Sequence, residues 1–322
     1  MDCRTRRRSW LGLALAALAS AAGAQVSEGP IRLIVPTAAG SVADLLAREL
    51  GRGLGAELKL PVVVENKPGA GTLVGAAQVA SAAPDGRTLL LSYVDHTYIP
   101  ALYPKAPFDA RSDFTGVAPI GNIPLVLLVH NGVPVRTAAE LVAYAKVRPG
   151  KLTYASAGPG STLHLTGELL KKDYGIDLLH VPYKGGAAAR AALLAGEVDI
   201  YFGSPMTLND TLVGQRVRAL GMATPQRHPQ FAELPTIAES TGKPFASSIW
   251  YGVLAPKATP AATLAQLNRA VNAIQADPEF RKKMAAQSFN ITPMDLPQFN
   301  AFLQDEFKRW GQLIADRQIS LD

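Results

Sequence analysis

The sequence predicts an α/β fold in two lobes, each a mainly parallel sheet flanked by helices, and three observations predict it. Short apolar runs alternate with helical periods along the chain, as parallel strand–helix units require. With 322 residues, the chain is too long for one small core and suits two lobes or one large domain. The succession of strand, small-residue loop and helix also starts twice, at residue 31 and again near residue 122. Hydrophobic residues make up 48% and charged residues 18%, a composition that folds rather than stays disordered.

Residues 1–24 form a separate object. Arg4, Arg6, Arg7 and Arg8 precede a short apolar run from Trp10 to Ala19, and Ala22-Gly23-Ala24 supplies the small residues of a cleavage site. This is the pattern of a secretory signal cleaved after Ala24. The run is too short for a membrane span, which takes roughly 20 residues. Cys3 is the single cysteine, so the mature chain would carry no thiol chemistry and no disulfide. Cleavage leaves 28 basic against 25 acidic residues, a net charge of +3, which gives no argument for nucleic acid.

Ile31–Val35 reads as a buried strand. Ser41 to Asp44 has the spacing of a capping box, and Leu46, Leu50 and Leu54 follow on one helix face. Strands are expected at 60–65 and 88–92, with a helix over 72–82 between them. The second series has strands at 125–129, 152–155, 178–181, 199–202 and 217–222. Thr137 to Glu140 opens a helix to about residue 147, and another runs over 162–174. A late strand at 249–254 precedes helices at 259–276, 279–287 and 297–314. The chain would therefore cross between lobes near 122–126 and 245–249, giving lobe one as 25–124 plus 247–322 and lobe two as 125–246.

Ligands in open α/β sheets sit beyond the carboxyl ends of strands. Loops 36–41 and 156–161 occupy that place, each before a helix whose first N–H groups are unpaired and whose dipole favours an anion. Two such loops across a cleft would clamp one carboxylate or the two ends of a dicarboxylate; the alternative is a pair of ordinary capped connections. Neither matches a phosphate loop. Ser161 and His164 raise a hydrolase reading, against which stands the lack of a GxSxG elbow or an identifiable acid. His96, His130, His164, His180 and His228 show no metal-ligand spacing. Asp95 and His96, in a loop after the third strand, are within reach of the cleft. Trp250 and Tyr251 fall at the second crossing, where packing between lobes is the plainer role.

Several stretches resemble the Bug family, the substrate-binding proteins of tripartite tricarboxylate transporters. They are Ile31 to Asp44, Val62 to Gly71, Ala83 to Leu90, Tyr154 to Ser161 with His164, His180 to Gly185, and Leu234 to Glu239. They are collinear over essentially the whole mature chain. The resemblance implies a type II periplasmic-binding-protein fold and a periplasmic location. It also implies capture of a small carboxylated solute by hinge closure, delivery to membrane permease subunits, a monomer, no cofactor and no catalysis. It places ligand contacts at Thr37, Ala38, Ala39, Gly40, Ser41 and Asp44, and at Ser156, Ala157, Gly158, Gly160, Ser161 and His164. Tyr183 belongs to a further matching motif. The chain departs from the family at the first loop, where Thr37 replaces a bulky aromatic and two glycines are gone. It departs again after the third strand, at Tyr93, Asp95 and His96, and at Gly203 and Ser204, where an acidic residue is common. Tyr93, Asp95 and His96 are the expected selectivity residues, with Asp95 set against a nearby carboxylate and toward an amine or hydroxyl. A sensor that presents its ligand to a signalling partner, and a secreted serine hydrolase, are the competing readings.

Overall fold

The computed structural model describes residues 29–209 and 215–321. The expected export signal lies outside them. Lobe one opens with β1 (Ile31–Val35), α1 (Val42–Leu58), β2 (Val62–Asn66), α2 (Leu73–Ala80), β3 (Thr88–Tyr93), α3 (Ile99–Leu102) and β4 (Phe114–Pro124). Lobe two holds β5 (Val126–His130), α4 (Ala138–Lys146), β6 (Thr153–Ser156), α5 (Thr162–Tyr174), β7 (Leu179–Pro182), α6 (Gly186–Ala195), β8 (Ile200–Gly203), β9 (Val217–Met222) and α7 (Ile237–Thr241). The chain returns through β10 (Ser248–Pro256) and ends with α8 (Ala261–Ala276), α9 (Pro278–Ala285), β11 (Asn290–Ile291) and α10 (Leu296–Asp316).

The first sheet has the order β11-β4-β10-β3-β1-β2 and the second β7-β6-β8-β5-β9. Both are mixed rather than mainly parallel. The strands that carry the chain between lobes are the reason: β10 runs antiparallel to β3 and β4, and β5 runs antiparallel to β8 and β9. Parallel pairing survives in two three-strand units, β2-β1-β3 and β7-β6-β8, where helical crossovers impose it.

Leu46, Leu50 and Leu54 are at most 3% exposed, so the expected face of α1 is the buried one. It joins Leu267, Val271 and Ile274 of α8 in a core against the first sheet. The C-terminal α10 packs on β4 and also on α5, so one helix touches both lobes. Lys172 pairs with Asp316 at 2.6 Å and Glu168 with Arg317 at 2.8 Å along that seam.

Five elements escape the sequence pattern: β4, α6 and the short α3, α7 and β11. β4 contains Gly116, Pro119, Gly121 and Pro124, which read as breakers. Register shifts against β10 absorb the irregularity, so the strand survives as a bulged one. α6 is alanine-rich, and its helix propensity was a usable signal.

Candidate functional site

The topology marks two places before any side chain is considered. β1 lies between β2 and β3, and β6 lies between β7 and β8, so each is the central strand of a parallel unit. The strand order reverses there, and the crevice beyond such a strand is where α/β sheets take ligands. The loops leaving β1 and β6 are 36–41 and 156–161.

Both loops are tied by the same device. Ser41 caps α1, its Oγ accepting from the Asp44 N–H at 3.2 Å; Ser161 caps α5, its Oγ accepting from the His164 N–H at 3.3 Å. The third helical residue then reaches back in each case. Asp44 Oδ2 accepts from the Gly40 N–H at 2.9 Å, and His164 Nδ1 accepts from the Gly160 N–H at 3.0 Å. These return bonds fall one residue earlier than a capping box requires. They need Gly40 at φ 80° and Gly160 at φ 71°, a region that costs other residues about 1–2 kcal/mol. The remaining N–H groups of each first helical turn have no acceptor within the helix, which leaves two anion-directed helix starts.

In the first loop Ala38, Ala39 and Gly40 are exposed. Thr37 Oγ1 lies 2.7 Å from Ser41 Oγ, and Asn66 Nδ2 donates to the Thr37 carbonyl at 3.1 Å. Asp44 is 2% exposed and pairs with Arg48 at 2.9 Å. Burial raises its pKa, but Arg48 and the Gly40 N–H outweigh that and hold the carboxyl below its ordinary value. Asp44 thus clasps the loop; its side chain is committed inward rather than to a ligand.

The second loop is held by aromatic stacking. His164 and His180 stack at 3.9 Å with rings 5° apart, and Tyr154 stacks on His180 at 4.9 Å. Burial first, and the neighbouring His180 second, push the His164 pKa down to about 4, so the imidazole is neutral and accepts from Gly160. Ser156 is fully buried, 2.6 Å from His180 Nε2, and its Oγ accepts from the Gly158 N–H. Ser161 Oγ donates to the Gly158 carbonyl at 2.7 Å. The Ser161–His164 pair of the hydrolase reading is therefore not a dyad: His164 Nδ1 faces a backbone N–H. Ser156–His180 is a serine–histidine contact, but its hydroxyl is sealed inside the loop. Ala157 and Gly158 remain half-exposed at the rim.

The other expected residues divide. Tyr93 ends β3, half-buried, 5.9 Å from the Tyr251 ring. Asp95 Oδ1 accepts from Thr162 Oγ1 at 2.8 Å, a hydrogen bond that joins the lobes at the start of α5. His96 corrects the expectation of a ligand contact. It is 4% exposed, its Nε2 lies 3.2 Å from the Ala110 carbonyl, and its ring packs edge-on against Phe114. The segment after β3 is a 3₁₀ turn rather than an open loop, and it turns Asp95 to α5 and His96 into the core of lobe one. Tyr183 follows β7; its N–H donates to the Ser156 carbonyl at 3.1 Å and its hydroxyl reaches Glu197 at 3.4 Å. Gly203 ends β8 and Ser204 follows it, at the same sheet end as the loop after β6, and the Ser204 carbonyl closes a turn with Thr207.

Sequence reasoning missed His180, Thr162, Arg48 and Tyr103 as site-shaping residues. The i+4 spacing of Asp44 and Arg48 was legible; the others depend on tertiary placement. Among the described residues no group of three His, Cys, Asp or Glu is placed to hold a metal, and no helix is long and apolar enough to cross a membrane. A groove of about 1050 Å³ lies elsewhere, beside Leu169, Lys243, Phe245 and Arg309. It is lined by charges of both signs and carries one capped start, that of the short α7 at Thr236, against the paired helix starts of the twin loops.

A model of the tripartite tricarboxylate transporter family receptors matches residues 46–319. The chain belongs to this family. It is 36% identical over 98% of its length to a UPF0065 protein from Pseudomonas sp. strain P51, covering 95% of that protein. Among solved structures, the periplasmic binding protein BugD shares 32% identity with a TM-score of 0.72, over 91% of this chain and 99% of BugD. MatC from Rhodopseudomonas palustris, with bound malate, shares 30% identity with a TM-score of 0.70, over 88% and 98%. R. palustris Rpa4515, with adipate, shares 28% with a TM-score of 0.75, over 90% and 97%. The family is one of solute-binding receptors whose members include periplasmic binding proteins, and this chain has their two-lobed fold.

Proposed function

We propose that this receptor captures a small carboxylated solute between its lobes, with carboxylate oxygens on the helix starts at Ser41 and Ser161. The observation that carries this is the repeated device: a capping serine, a glycine and a reach-back acceptor at the switch point of each lobe. The malate and adipate held by two structural relatives support the ligand class. Backbone groups of Thr37–Ser41 and Ser156–Ser161 make the contacts, while Asp44 and His164 hold the loops in shape. Tyr93, Asp95, Tyr183, Gly203 and Ser204 complete the wall.

Lobe one comprises residues 25–124 and 247–322, and lobe two 125–246. The chain is exported to the periplasm, cleaved after Ala24, and works as a monomer that hands solute to a tripartite permease. It needs no chemistry, since the serines serve as caps. Titration calorimetry of the mature protein with C4–C6 dicarboxylates, their amino derivatives and their diamides tests the reading. Binding of acids and not of diamides is expected; equal binding of a diamide, or none by any acid, would contradict it.

A further inference from the structure

Among the described residues the buried acids Asp44, Glu168 and Glu306 come with cations, and the half-buried Asp95 does not. Asp44 has Arg48 at 2.9 Å. Glu168 has Lys171 at 2.9 Å and Arg317 at 2.8 Å. Glu306 takes the indole N–H of Trp250 and Trp310, with Arg309 at 3.5 Å. Asp95 has the Thr162 hydroxyl, and among the described residues no cationic side chain pairs with it. The start of α5 supplies roughly half a positive charge, which cannot balance a whole carboxylate. Burial accordingly pushes the Asp95 pKa up to about 6.

Its surroundings suit a cation. Tyr93, Tyr98, Tyr103 and Tyr251 all lie within the field of Asp95, which together with burial pushes their phenols up. The Tyr98 hydroxyl is buried without a hydrogen-bond partner. Tyr103 closes the wall against Gly71, where a Cβ would strike its hydroxyl. Aromatic rings around a carboxylate are the chemistry that binds an ammonium group. Asp95 also stands beside the α5 start, so one small molecule can reach both.

We propose that Asp95 is a specificity-determining residue and that the solute is an amino-acid-like zwitterion, its ammonium group on Asp95 and its carboxylate on the helix starts. This rests on the carboxylate reading above. The test is calorimetry of the mature protein at pH 8 with matched pairs: aspartate against succinate, glutamate against glutarate, and malate as a hydroxyl control. The amino member of at least one pair is expected to bind at least about tenfold tighter than its diacid. Asp95→Asn is expected to bring the amino-to-diacid affinity ratio down to about one. Diacids that bind as tightly as their amino partners in both pairs, malate as tight as aspartate where aspartate is the preferred ligand, or an unchanged ratio in Asp95→Asn would overturn the proposal. If diacids bind and the amine adds nothing, this inference alone falls; if no acid binds, the carboxylate reading falls with it. Should Asp95→Asn fail to fold, the wild-type ratios still decide. Their pH dependence decides too: the amino preference should fade from pH 8 to pH 5 as Asp95 protonates, since the facing phenols stay neutral there. A pH-independent preference would overturn the proposal.

Discussion

The two helix-start loops share a hydrogen-bond plan and differ in what enforces it. The loop of lobe one is clasped by a charge, Asp44 on Arg48, and stands open: nothing lies within 4 Å of a Cβ built on Gly40. The loop of lobe two is clasped by a neutral imidazole stacked on another, and a Cβ on Gly160 would meet Leu321 at 2.5 Å and Leu102 at 3.0 Å. Lobe one thus presents an exposed rim, while lobe two presents a loop seated under the other lobe. The difference teaches that one helix-start geometry tolerates unlike chemistry behind it, because only the backbone N–H groups need a fixed place.

Acid should separate the clasps most. His164 has a folded pKa near 4 against about 6.5 in an unfolded chain. The unfolded state therefore binds the extra proton first, and stability falls as pH drops from 6.5 to 4, by on the order of 3 kcal/mol. Asp44 is also lowered, but from the ordinary carboxylate value, so its contribution is present above that value and is lost only below it. Denaturant titrations from pH 7 to pH 4 should show a shallower loss for His164→Asn, which keeps an acceptor for Gly160 but does not titrate. Equal slopes for the variant and the parent would remove His164 from the account.

Packing should separate them next. Gly40→Ala meets only backbone strain, about 1–2 kcal/mol. Gly160→Ala meets the same strain plus Leu102 and Leu321, and about 1 kcal/mol more is expected. Midpoints of urea unfolding report the order, and a larger loss at Gly40 would reverse the comparison. The caps should be alike: Ser41→Ala and Ser161→Ala are each expected to cost about 1 kcal/mol. A thermal scan that finds one cap silent would show that its loop is held by other means. Smallest of all, the seam pair Lys172–Asp316 is exposed, so Lys172→Ala should leave the urea midpoint nearly unchanged.

Much of this was legible. Serine three residues before Asp44 and before His164 announced both helix starts, because capping is local and leaves a spacing. The family likeness announced a two-lobed solute receptor. Three things could not be read. β4 hid behind glycines and prolines that its bulges accommodate. The His164–His180 stack joins residues sixteen positions apart, which no local spacing encodes. Asp95 and His96 were adjacent letters of one expectation, and a 3₁₀ turn sent one to the lobe interface and the other into the core.

A crystal structure of the mature protein with its tightest-binding acid tests the central claim most directly. The account predicts carboxylate oxygens within hydrogen-bond reach of backbone N–H groups in both loops, at 38–42 and at 157–163. A ligand seated instead in the groove beside Lys243 and Phe245, with both loops bare, would contradict it.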